Sequence, residues 1–488
     1  MEKKTSSICP ECHKKISARI YDNNSCVYIE KECADHGHFK DVYWSNCHQY
    51  QRAEGFRSDG EGFRNPRTQE RRGCPYDCGP CPQHKSYTLL GIIDITNRCN
   101  LKCPICFANA ASAGFIYEPA LDQIKQMLEN LQGNQPLPTP ALQFSGGEPT
   151  LREDLPEIIQ LAKKFGFRNI QVNTNGLRLA ESLDYCKTLK QAGMKTLYLQ
   201  FDGLSPEVYE YTRGRDLVAT KRKAVENCRR AGLDSIVLVM TLIKGINENQ
   251  VGAVIEFAAE NFDVIRGINV QPISFSGRLP EEELMRRRIT IPQFMKLVEE
   301  QTDRKIQADD FFPIPSVVPV SQAIGALNNN RYPEFTAHPH CGMATYFFVE
   351  DGDVVPINTY INVDKFLATM IKVFKSASHG HKIYARFLSF MALRHIKFGL
   401  LRKYLWPLLK EGTYEALRDI HYRMVLISSM HFMDAYNFDL ERVKRCVIHY
   451  ATPDGRLIPF CTYNNLGYRE NIENEYSCRS LHEDSRIE

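Results

Sequence analysis

The stretch CNLKCPIC sets Cys99, Cys103 and Cys106 at C-x₃-C-x₂-C spacing, with no fourth cysteine close by. A structural zinc site is closed by four protein ligands, whereas a catalytic metal keeps one position open. Three thiolates on a four-iron cluster leave one iron free to take a substrate or cofactor. The competing reading, half of a zinc site completed from a distance, is weakened because zinc knuckles pair one short-spaced cysteine couple with a second.

The chain has 488 residues, of which 17 are cysteine. An odd count in a chain whose opening, MEKKTSSICPEC, lacks the apolar core of a secretory signal points to metal ligation and a cytoplasmic setting, not to a disulfide framework. No long uncharged run reads as a membrane span. A net charge of +3 is too small to argue for nucleic acid by itself. The other cysteines fall into an N-terminal group (Cys9, Cys12, Cys26, Cys33), a second group (Cys47, Cys74, Cys78, Cys81) and a C-terminal group (Cys341, Cys446, Cys461, Cys478), with Cys186 and Cys228 alone between them.

The middle of the chain alternates apolar runs with amphipathic stretches. LLGIIDI (89–95), ALQF (141–144), RNIQVN (168–173), KTLYLQF (195–201), SIVLVMT (235–241) and GINVQPI (267–273) read as buried strands. The segments between them read as helices, so the units are βαβ and the sheet parallel. Six units predict an α/β fold, a partial (β/α)₆ barrel, with chemistry at the C-terminal ends of the strands. The three-cysteine loop, SGGEPT, NTNG and the DG of Asp202 each follow a strand and share that rim.

CNLKCPIC followed by GGEPT resembles the radical S-adenosylmethionine superfamily. The resemblance implies that Cys99, Cys103 and Cys106 hold a [4Fe–4S] cluster whose open iron chelates S-adenosylmethionine. One electron then cleaves the sulfonium bond to give a 5′-deoxyadenosyl radical, chemistry that the cofactor carries. It also implies that Ile105 lies against the adenine, that Gly146, Gly147 and Glu148 bind the methionine amino group, that Asn175 faces the ribose, and that Asp202 and Arg213 serve the sugar or carboxylate.

Cys9, Cys12, Cys26 and Cys33 supply four thiolates, enough for a closed mononuclear iron or zinc site. CPYDCGPC repeats the x₃, x₂ spacing, and Cys47 is the candidate fourth ligand for an auxiliary cluster with Cys74, Cys78 and Cys81. Cys341, Cys446, Cys461 and Cys478 form a second auxiliary set. Cys341 and Cys461 adjoin hairpin-like runs, EDGDVVPI and PDGRLIPF. Cys186 and Cys228, on helical patterns, read as buried thiols. The expected organisation is a cysteine-rich N-terminal region (1–86), the partial barrel (87–315) and a C-terminal auxiliary-cluster domain (316–488).

From Lys365 to Lys410 there is no Asp or Glu, while ten Lys and Arg interleave with apolar residues at helical spacing. A basic amphipathic stretch suits an anionic membrane surface, where each cation contributes about 1 kcal/mol. A core helix with a solvated basic face is the plainer alternative.

Across nearly its whole length the motif order resembles one branch of the superfamily, the archaeal tetraether lipid synthases, whose members have also been described as dihydropterin methylases. That resemblance implies coupling of unactivated lipid alkyl chains, with a lipid substrate at a membrane surface and a low-potential electron donor such as ferredoxin or flavodoxin. The alternatives are carbon methylation of a dihydropterin and, from another class, a non-catalytic metal ribbon binding nucleic acid. The open cluster disfavours the ribbon, and no nucleic-acid partner is expected.

Overall fold

The computed structural model describes residues 1–112, 114–278, 285–400, 423–477 and 479–480. Cys478 and the basic residues Arg402, Lys403 and Lys410 lie outside the described residues.

The chain opens with a four-stranded antiparallel ribbon, β1 (Glu2–Ile8), β2 (Lys15–Asn23), β3 (Cys26–Cys33) and β4 (Gly37–Trp44), followed by a short helix, α1 (Cys47–Glu54). The barrel strands are β5 (Leu90–Thr96), β6 (Ala141–Gly146), β7 (Asn169–Thr174), β8 (Thr196–Gln200), β9 (Ile236–Leu242) and β10 (Ile265–Pro272), each paired in parallel with the next. This is the expected six-unit partial barrel.

Strand alternation separates two faces. Ile93, Ile95, Leu142, Phe144, Ile170, Val172, Leu197, Leu199, Leu238 and Met240 are buried in one core with helix residues such as Ile124, Met127, Ile158, Leu189 and Val254. The alternate positions, among them Ser145, Asn173, Tyr198, Gln200, Val239 and Thr241, face the other way and keep partial exposure. The wall therefore has a dry outer side and a solvent-reached inner side.

The C-terminal segment adds strands to both edges of the barrel sheet. β11 (Gly342–Glu350) and β12 (Met424–Met430) extend the sheet beyond β10, with β12 parallel to β10 and antiparallel to β11. β13 (Ile448–Ala451) pairs in parallel with β5 at the opposite edge and turns back through β14 (Leu457–Pro459). An open six-stranded sheet has two edges with unpaired backbone groups, and these strands cover both. Both hairpin expectations hold, since β11 also pairs with Asp353–Pro356. The ribbon is tied to the same segment: Thr5 Oγ1 and Tyr43 Oη donate to the Asp439 carboxylate, and Arg288 bridges Asp41 and Asp434. Among the described residues no helix is long and apolar enough to cross a membrane.

Candidate active site

The three cysteines occupy the loop after β5, at the C-terminal rim, and all are partly buried. Burial pushes the Cys99 thiol up to about 12, and the neighbouring Glu148, Cys103 and Cys106 push the same way. Burial also raises Cys103. Thiols crowded together out of water favour their protonated form until a cation compensates them. The donor set therefore fits a cluster held by Cys99, Cys103 and Cys106.

The rim motifs clamp this loop. Gly147 N–H donates to Thr96 O at 2.7 Å and Glu148 N–H to Arg98 O at 2.8 Å. Gly146 has φ +123°, and a Cβ there would lie 2.1 Å from Thr96 O; one at Gly147 would lie 2.2 Å from Arg98 O. The glycines of GGEP thus let the cysteine loop lie directly on β6, backbone to backbone. Asn175 Nδ2 donates to Asn100 Oδ1 at 2.7 Å, Arg213 Nη1 donates to Ile105 O at 3.2 Å, and Cys106 exchanges two backbone bonds with Arg278. The loops after strands two and three, the helix Pro206–Arg213 after strand four and the segment past strand six all reach the cysteine loop through these contacts.

The polar candidates are more committed than their motif positions implied. Glu148 is 1% exposed. Its Oε1 accepts from Thr150 N, Thr150 Oγ1 and Thr174 Oγ1, and its Oε2 accepts from Asn175 N at 2.7 Å. One lone-pair direction on Oε2 is left for an ammonium group. Asp202, fully buried, chelates Arg213 at 2.6 and 3.0 Å and also accepts from Thr212 and from Thr241 N–H. That pair is spent on itself and on the Ile105 carbonyl, so it positions the loop. Burial raises the cost of the Asp202 charge, but Arg213 outweighs it and holds the carboxyl below its ordinary range. Ile105 is buried against Ile243 and Ile273, an apolar wall suited to a flat ring.

Lys221 escaped the sequence reading. It is fully buried, and its ammonium donates to Asn175 O and Gln200 Oε1, both at 2.6 Å. Burial brings it down to about 7, opposed by Asp202 and Glu148. It joins the rim of β7 to the inner face of β8. A lysine within VATKRKAVENCRRA reads as one more solvated charge, and nothing local marks it.

The ribbon carries a second set. Cys9, Cys12, Cys33 and His36 offer ligand atoms all within 4.8 Å of one another. Cys12 and Cys33 sulfurs are 3.9 Å apart, and His36 Nδ1 lies 3.5 Å from Cys33 and 3.7 Å from Cys9. His36 lowers Cys33 to about 6. Cys26, expected in this set, is replaced by His36. It starts β3 and Cys33 ends it, so at about 3.3 Å per residue they sit roughly 23 Å apart. The signal that could have found His36 is Cys33-x₂-His36, which mirrors Cys9-x₂-Cys12.

Cys47 likewise does not join Cys74, Cys78 and Cys81. Its N–H bonds Ser25 O at the β2–β3 turn, whereas Tyr76, inside CPYDCGPC, bonds His13 and Lys15 at the opposite end of the ribbon. Cys74, Cys78 and Cys81 line one small cavity with His84, Lys444 and Pro459. Cys341, Cys446 and Cys461 lie within electrostatic reach of one another around buried Arg442, whose Nε donates to Cys341 Sγ at 3.4 Å. Burial pushes Cys446 up to about 12. Each auxiliary set therefore brings three cysteines together among the described residues. Cys186 and Cys228 are fully buried, as expected.

A model described as the radical SAM superfamily matches residues 93–258, and one described as the HMPTM N-terminal zinc ribbon domain matches residues 1–45. A 7,8-dihydro-6-hydroxymethylpterin dimethyltransferase of Methanocaldococcus jannaschii is 49% identical over 490 aligned positions, 98% of this chain and 96% of that one. A probable GTP 3′,8-cyclase of Methanothermobacter thermautotrophicus is 28% identical over 180 residues, 36% of this chain and 56% of that protein. Among solved structures, Streptococcus suis SuiB aligns with a TM-score of 0.37 and 18% identity over 45% of this chain and 46% of that one.

Proposed function

We propose a reaction from one premise: this chain belongs to the radical S-adenosylmethionine superfamily and, over nearly its full length, to the family of the Methanocaldococcus jannaschii 7,8-dihydro-6-hydroxymethylpterin dimethyltransferase. The reaction is methylation of carbon atoms on a dihydropterin. When bound, the cluster and S-adenosylmethionine supply a one-electron route to carbons that lack an acidic proton or a leaving group. Cys99, Cys103 and Cys106 hold the cluster, Ile105 walls the adenine, and the open lone pair of Glu148 receives the amino group.

The observation that supports the reading is the clamp of GGEP, Asn175 and Arg213 on the cysteine loop, which holds the three candidate ligands at the C-terminal rim of the barrel. The inner face of the barrel carries Ser145, Asn173, Gln200, Thr241 and Gln271 toward the rim, a set of donors and acceptors suited to a polar heterocycle. The ribbon set holds zinc, in keeping with the matched ribbon domain. The two three-cysteine sets hold auxiliary iron–sulfur clusters, fed by a low-potential donor such as ferredoxin or flavodoxin.

Coupling of lipid alkyl chains, the first expectation from sequence, is the second reading, and the family relationship backs methylation better. One observation favours it: Val237 and Leu426 flank Gly267 on the inner side, where a Cβ on the glycine would touch both. Anaerobic incubation with reductant, S-adenosylmethionine and either a dihydropterin or an ether-lipid extract, read by mass spectrometry, separates the two. Added methyl groups on the pterin support the proposal. An unchanged pterin beside coupled alkyl chains that have lost two hydrogens overturns it.

A further inference from the structure

The helix Lys382–Ala392 packs the wrong way round for a core helix. It buries Ala385 and Ala392, its small residues, against Val320, Ala323, Met370 and Val373 of the helices Val318–Asn328 and Val363–Ser378. Leu388 packs beside them, but three other large apolar side chains face solvent: Ile383 is 88% exposed, Phe387 56% and Phe390 69%, with Phe398 just beyond the helix at 75%. Ile383, Phe387 and Phe390 are spaced i, i+4, i+7, so they form one stripe. Tyr384 stacks beside Phe387. Scattered exposed apolar residues are ordinary, but a contiguous stripe marks a surface that something covers.

The charge around the stripe identifies the occupant. Arg386, Arg394 and Lys397 are exposed among these residues, and Lys365, Lys372 and Lys375 are exposed on the preceding helix. The whole segment from Lys365 to Lys410 has no acidic residue. Aromatic and aliphatic side chains flanked by cations alone are complementary to a surface with anionic headgroups over hydrocarbon. Pairing this face with its own copy would set its cations against one another, and base recognition would call for polar side chains between the cations.

We propose that the stripe Ile383–Phe387–Phe390, with Phe398 and its flanking cations, seats this protein on the surface of an anionic lipid bilayer without spanning it. This stands independently of the pterin reading, since a soluble substrate can be used at a membrane.

The test uses the full-length holoprotein, purified anaerobically, and sedimentation with vesicles of phosphatidylcholine alone or mixed with phosphatidylglycerol. Binding to the mixed vesicles is expected, weakened by raised salt as headgroup charge is screened. Phe387→Ser/Phe390→Ser should weaken it roughly tenfold or more, and Arg386→Glu/Arg394→Glu comparably. Both variants leave Ala385 and Ala392 in place; unchanged iron content and circular dichroism certify the fold. The proposal is overturned if the wild type ignores mixed vesicles, if the variants bind them equally well, or if the stripe instead supports a dimer that the substitutions abolish without any vesicle binding.

Discussion

The ribbon and the barrel rim each gather three cysteines, and their surroundings differ. In the ribbon two hairpin turns meet, and His36 brings its ring nitrogen within 3.7 Å of two of the sulfurs. At the rim the loop is held by backbone and side-chain bonds from Gly147, Glu148, Asn175 and Arg213, and the nearest polar groups are spent on one another. In the ribbon the protein brings four ligand atoms together, whereas the rim loop offers three cysteines. Four protein ligands suit a closed structural metal; what sets the rim triad apart from the other three-cysteine sets is its clamp by GGEP, Asn175 and Arg213.

The comparison breaks first at Cys103. Cys103→Ala should lower reductive cleavage of S-adenosylmethionine by roughly a thousandfold or more, read as 5′-deoxyadenosine. Lys221→Met leaves the Asn175 carbonyl and Gln200 without their donor and shifts the rim; cleavage should fall roughly ten- to hundredfold.

A stability effect away from both sites follows. Glu473 is raised to about 7 by burial, beside Arg469 and Asp94. Its folded value lies above its ordinary one, so the folded chain holds the extra proton and stability falls as pH rises from the ordinary value of 4.5 to about 7. The loss is on the order of 3 kcal/mol or less. Thermal midpoints across that window should decline for the wild type and flatten for Glu473→Gln. The smallest catalytic effect belongs to the ribbon: His36→Ala should leave cofactor cleavage within about twofold while weakening zinc retention roughly tenfold or more, read by metal analysis.

What could be read from the sequence follows the range of the interactions. Apolar runs mark the barrel strands to within a residue or two, because parallel strands buried by helices read as such runs; RNIQVN anticipates Asn169–Thr174. The rim motifs were legible because each follows such a run. The pairing of Met424–Met430 with β10 and of Ile448–Ala451 with β5 was not, since edge pairing across more than a hundred residues leaves no local mark. Spacing misassigns Cys26 and Cys47, because it says nothing about which end of a strand a residue occupies. His36 was available in a second x₂ spacing. The periodicity of Lys382–Ala392 was visible, but not that its alanines would face inward.

The most direct test of the open-site account is electron paramagnetic resonance of the reduced protein, with and without S-adenosylmethionine. The account predicts that the cofactor perturbs one cluster signal, that Cys103→Ala abolishes that response, and that His36→Ala preserves it. A spectrum indifferent to the cofactor, or a response that survives loss of Cys103, would contradict it.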